Sequence, residues 1–171
     1  DYTVDTKAVA NVKVKFAKLE WKRHEDVHMS VGVYAKEYAE TIWVQAAREG
    51  DGERRLATPF VLVIMADHQK ELLERVGVGD TVLIDSTHGT NVNKFSMFTL
   101  MVINTHGRGR PVAWFITSDE LATTIQQALE RVKDKAREWK PKTFMSDCSD
   151  AEMKAIKAVF PGIKVHLCIW H

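Results

Sequence analysis

Two cysteines in 171 residues, Cys148 and Cys168, are too few for a disulfide framework and fit a reducing compartment. An excess of charge of one sign is also missing. The net charge is only +1, whereas nucleic-acid binders ordinarily carry a clear basic excess, so DNA affinity has to come from a local patch or from other parts of a larger protein. No apolar run approaches the ~20 residues of a membrane span, and no membrane partner is expected. There are no internal repeats, no low-complexity segment and no zinc-finger spacing. The chain opens Asp1-Tyr2-Thr3, with neither a methionine nor a leader, and is expected to be an excised segment. What is present is ordinary for a globular domain: 45% apolar and 27% charged residues, and enough length to bury one core.

A polar, glycine-bearing stretch, Gly50-Asp51-Gly52-Glu53-Arg54-Arg55, reads as a linker. Residues 1–52 are expected to form a mainly helical N-terminal extension. Residues 27–47 carry Val31, Tyr34, Tyr38, Ile42 and Ala46 at helical spacing, whereas Val12-Lys13-Val14-Lys15-Phe16 fits a strand as well as a helix. Residues 53–171 read as an α/β core. Residues 60–65 form a buried-strand run, and a short helix through Gln69, Leu72 and Leu73 follows, ended by Gly77 and Gly79. From Thr81 onward the expected order is β-β-β-α-β-α-β, with strands near 81–85, 95–104, 111–117, 143–147 and 165–169. Three tightly joined strands should pair antiparallel, and helical crossovers should lay the later ones parallel, giving a mixed sheet.

Asp85 follows Val82-Leu83-Ile84, on a strand buried on at least one face. A carboxylate there is costly unless it is hydrogen-bonded, paired or bound to a cation. Asp147 repeats the arrangement on the strand after the long helix. The two acids should end adjacent parallel strands with their carboxylates turned to one cleft, a hard-oxygen site for Mg²⁺ or Mn²⁺. The plainer alternative is that each aspartate caps a turn or helix. Ser149 and Glu152 read as a Ser-x-x-Glu capping box for the next helix, which leaves Asp147 spare and Glu152 occupied.

These residues carry a resemblance to a known family. Ile84-Asp85-Ser86-Thr87-His88-Gly89-Thr90-Asn91 resembles the first-acid motif of Mutator-like element (MULE) transposases, and Phe144-Met145-Ser146-Asp147 their second. Gly109-Arg110-Pro111-Val112-Ala113-Trp114 is similar to an intervening strand, Ala155-Ile156 with Val159-Phe160-Pro161 to the helix after the second acid, and Leu167-Cys168-Ile169-Trp170-His171 to a Cys-x-x-His signature. The likeness runs in family order from about Phe60 to His171. It implies an RNase H-like core whose first two catalytic, metal-binding acids are Asp85 and Asp147. It further implies DNA strand cleavage and joining with two Mg²⁺ or Mn²⁺ ions, DNA (transposon ends and target) as partner, a homo-oligomer in the full protein and a nuclear location. The family's third acid, a glutamate, lies on a helix beyond the Cys-x-x-His signature, so this piece alone is expected to fold but not to react. Two rivals stand beside this reading: a domesticated derivative kept as a DNA-binding or protein-interaction module, and an RNase H-type nuclease.

The remaining candidates each have two readings. Cys168 and His171 supply two ligands where structural zinc normally takes four, with Cys148 as the one further thiol; packing and hydrogen bonding is their plainer role. Thr87, His88 and Asn91 either reach a DNA phosphate or build a hydrogen-bonded turn. Arg108 and Arg110, on a glycine-rich hairpin, either contact phosphate or are simply solvated. The basic cluster of Lys13, Lys15, Lys18, Lys22 and Arg23 reads as a solvated face.

Overall fold

The computed structural model describes residues 23–24, 26–49, 56–147 and 149–169. It divides into two compact units, Asp1–Ala39 and Glu40–His171. In the first, helix α1 (Val27–Glu37) starts at Asp26, whose Oδ1 accepts the Met29 N–H at 2.9 Å and so satisfies one of the otherwise orphaned donors of the first turn. The ambiguous element at residues 12–16, its basic cluster apart from Arg23, and the linker at 50–55 lie outside the described residues.

The helix expected over residues 27–47 stops at Glu37. Ile42–Gln45 is instead a strand, β1, paired antiparallel with β4 (Val61–Ile64). Ile42-Trp43-Val44 is a β-branched and aromatic run that suits a pleated, half-buried surface, and that preference outweighs the i, i+4 spacing of Tyr38, Ile42 and Ala46. The compact second unit therefore begins ahead of β1 and not at the polar stretch after it. Two short strands, β2 (Arg48–Glu49) and β3 (Leu56–Thr58), form a separate antiparallel pair.

The elements that follow are α2 (Asp67–Val76), β5 (Thr81–Thr87), β6 (Ser96–Ile103), β7 (Gly109–Thr117), α3 (Ala122–Lys135), β8 (Thr143–Ser146), α4 (Asp150–Val159) and β9 (Lys164–Leu167). The β-β-β-α-β-α-β order from Thr81 is thus as expected. The main sheet has seven strands in the order β1-β4-β7-β6-β5-β8-β9. Its first five are antiparallel, and β8 and β9 join parallel after helical crossovers. The turn between β6 and β7 requires a positive φ, which Gly107 supplies at 70°.

One face of this sheet is the core. Val82 and Ile84 of β5, Phe98, Leu100 and Val102 of β6, Phe115 of β7 and Phe144 of β8 pack in one cluster with Leu73, Ile125, Leu129, Val132, Ile156 and Val159 of the three helices. Phe98 and Phe115 stack at 4.8 Å, and Trp139 closes the cluster beside Phe144 and Phe160. The alternate positions Leu83, Met97, Met101, Trp114 and Met145 are half-buried on the other face, as the two-residue period of a strand requires. Leu167 and Ile169, after the last crossover, are exposed.

Candidate functional site

The parallel pairing of β5 with β8 builds the site. Thr81, Val82 and Leu83 lie opposite Thr143, Phe144 and Met145, a constant offset of 62 residues. The same offset carried on to the strand end sets Asp85 level with Asp147, directly after β8. The alternation turns Asp85 to the side of Leu83, away from buried Val82 and Ile84. Both aspartates are half-buried.

Two details depart from the sequence reading. Asp85 does not end its strand, because β6 goes on pairing with β5 through Ser86 opposite Phe98 and Thr87 opposite Met97. Nor is Asp147 spare. Its Oδ1 accepts the Ser149 N–H at 3.0 Å, the very donor that the glutamate of a capping box would have taken. Ser149 still caps α4, accepting the Glu152 N–H on its hydroxyl at 3.3 Å.

Glu152 is released from capping and turns inward. It is 1% exposed, on the same helical stripe as Ala155, Ile156 and Val159. The Ser146 hydroxyl donates to Oε2 at 2.5 Å, and Oε1 is buried as well. Burial raises the pKa of this group from its ordinary 4.5 to about 7; the Ser146 bond opposes the shift, while Asp147, through its charge and a side-chain hydrogen bond, and the charge of Asp85 add to it. Sequence reasoning missed Glu152, although its place on the apolar stripe of α4 was a readable sign that it faced inward.

That shift makes a prediction with a definite sign. The folded state holds the Glu152 proton more tightly than the unfolded state, so the stability this group contributes is complete below its unfolded value of 4.5 and is lost as pH rises through about 7. The loss should total about 3 kcal/mol over that window. Urea unfolding of the wild type should show this decline between about pH 4 and about pH 8, and Glu152→Gln should lack it. Parallel profiles for the two proteins would refute the assignment.

The other candidates do not gather around the acids as a set. His88, just past β5, pairs its Nδ1 with Glu120 at 3.1 Å, and the Ser96 hydroxyl donates to the same glutamate. Asn91 closes its own loop, accepting the Phe95 N–H at 3.0 Å and donating to the Phe95 carbonyl at 2.7 Å, so it plays the turn-building role. Arg108 and Arg110 are exposed at the opposite end of the strands, since Arg110 faces Val102, which in turn faces Val82 at the start of β5. Three strand residues, roughly 10 Å, separate that level from Asp85. Cys168 is a free, half-buried thiol whose backbone N–H donates to the Ser146 carbonyl at 2.7 Å; Cys148 and His171 lie outside the described residues. Among the described residues no group of three or more His, Cys, Asp or Glu side chains stands arranged to hold a metal ion.

Residues 54–166 match the family model described as zinc finger SWIM domain-containing protein 1/3, RNaseH-like domain. The match takes in Asp85, Asp147 and Glu152 and stops short of Cys168 and His171. A comparison with curated proteins found no match.

Proposed function

The chain belongs to the RNase H-like domain family of zinc finger SWIM domain-containing protein 1/3, and we propose that Asp85 and Asp147 form a divalent-cation site for phosphoryl transfer on DNA strands. The observation that carries this reading is the register of the neighbouring parallel strands β5 and β8, which carried on by two residues brings Asp85 level with Asp147. The donor set fits the ion: the half-buried carboxylates of Asp85 and Asp147 are hard ligands of the kind Mg²⁺ and Mn²⁺ take. Two such ions, once bound, would activate the attacking oxygen and stabilise the leaving one. The chain's own part is to hold Asp85 by its pairing opposite Thr99 of β6 and Asp147 by its bond to Ser149.

The likeness to MULE transposases makes transposon ends and target DNA the natural substrate, with a homo-oligomeric, nuclear parent protein. The test is nicking of supercoiled and transposon-end DNA by the protein that carries this chain, with Mn²⁺ and with chelator. Metal-dependent cleavage supports the reading. A second reading, a DNA-binding or protein-interaction module without catalysis, draws on the absence among the described residues of a ready three-ligand group. Under that reading DNA is retained but never cut, with or without metal.

A further inference from the structure

We propose that the end of the sheet opposite Asp85 and Asp147 is a docking surface for the sugar-phosphate backbone of nucleic acid, centred on a groove lined by Lys133, Arg137, Lys140 and Lys142. This surface stands apart from the chemistry proposed for the aspartates and needs no metal ion.

The net charge of +1 conceals an uneven distribution. The pairing registers set Arg110, Val102, Val82, Phe144 and Val165 in one row across β7, β6, β5, β8 and β9. Lys164 stands one residue beyond that row, and Arg108 and Lys142 immediately precede β7 and β8. These cations are exposed. Asp80 lies here too, and its Oδ1 accepts the Thr81 N–H at 2.7 Å. At the other end the balance reverses, since Asp119 and Glu120 follow β7 where Asp85 and Asp147 lie on and after β5 and β8.

The groove, of about 480 Å³, is lined by the end of α3, the stretch after it and the turn from α4 to β9. Trp139, Phe160 and Ile163 supply apolar walls, and no carboxylate is among its described lining residues. Lys133 is fixed there: its Nζ donates to the Val159 carbonyl at 2.9 Å and lies 4.7 Å from the centre of the Phe160 ring. Arg137, Lys140 and Lys142 belong to none of the ion pairs among the described residues. Glu130 and Asp134 line the adjoining hollow, but Gln126 and Arg131 engage them.

A helix C-terminus attracts cations to its dipole, which accounts for Lys133 and Lys135 in the last turn of α3. It does not account for Lys140 and Lys142, which lie beyond the helix and repel their neighbours. A polyanion relieves that repulsion and releases its own counterions on binding. Arg110 on β7 and Lys164 on β9 are four strand spacings apart, roughly 19 Å. That is about the axial length of six base pairs. A row of this extent suits a repeating phosphate backbone better than a single small anion. Charge contacts of this kind position a duplex and carry no sequence information.

The experiment is fluorescence anisotropy of a short labelled duplex of arbitrary sequence with the full chain, in EDTA. Lys140→Ala combined with Lys142→Ala should weaken binding by about tenfold and lower the slope of log K against log salt by about two. Lys94→Asn combined with Lys154→Ala removes the same charge outside the groove and should leave affinity and slope nearly unchanged. Equal losses in both double variants, wild-type affinity in the first, or no binding by the wild type would each overturn the proposal. So would competition by poly-glutamate of matched charge as effective as that by unlabelled duplex, which would assign the groove to an acidic protein. Should the first double variant not fold, Arg137→Gln is expected to lower the slope by about one, and an unchanged slope refutes the surface. Because EDTA is present throughout, the cleavage reading of the aspartates can fail while this surface stands, and the reverse.

Discussion

Asp147→Asn is expected to abolish metal-dependent DNA cleavage by the parent protein while leaving its fold intact. An amide carries no charge and is a weak ligand for a hard dication, so the variant loses several kcal/mol of transition-state stabilisation, a rate loss of about a thousandfold or more. The structural duty of Asp147 survives the change. An asparagine oxygen accepts a hydrogen bond as a carboxylate does, so the 3.0 Å bond from Ser149 N–H remains available and the start of α4 keeps its cap. Asp85→Asn should behave alike, since the β5 ladder that holds Asp85 is made by backbone groups. Plasmid nicking with Mn²⁺, beside circular dichroism of each variant, checks both halves. Full activity in either variant would reject the site, and loss of folded signal would mean that the aspartates are structural.

Phe144→Ala should cost about 3–5 kcal/mol and lower the melting temperature by roughly 10 °C. Phe144 is fully buried on β8, with ring centroids 5.9 Å from Trp139 and 5.5 Å from Phe160. Its removal leaves a cavity between β8 and the two helices that flank it, bounded by rings that cannot collapse far. Asp147 lies three residues further along the same segment, so a loosened β8 should also blur the acids' common level. Thermal unfolding measures the stability loss. A change smaller than about 1 kcal/mol would show that the aromatic cluster is not the anchor of this edge of the sheet.

The legibility of this molecule varied with how much the local pattern had to compete against. From Thr81 onward each apolar run was bounded by glycine, proline or a polar turn, and period alone gave the strands, the helices and their mixed pairing. The level of Asp85 with Asp147 followed from topology, because the crossover through α3 from β7 lays β8 parallel beside β5. Ile42-Trp43-Val44 was misread because four residues are too few for periodicity to separate a strand from the tail of a preceding helix. What decides there is the partner, β4, some twenty residues away. Glu152 was misassigned for a different reason. The Ser-x-x-Glu pattern names who can cap a helix, but a rival acceptor two residues upstream of the serine, Asp147, took the donor first. Such competition is invisible until both side chains have positions.

The 62-residue offset between the two acids also sets an order of events in folding. β5, β6 and β7 pair with their immediate neighbours and can zip together through short loops on a microsecond scale. β8 has no such neighbour in sequence. It can dock on β5 only after the intervening meander and α3 are in place, a long-range closure that carries its entropy cost before any ladder bond is made. Asp85 and Asp147 thus stay apart while most of the sheet forms. In pulse-labelled hydrogen exchange, the amides of β6 and β7 should gain protection ahead of those of β8, so the chain assembles its acidic centre onto a scaffold already standing.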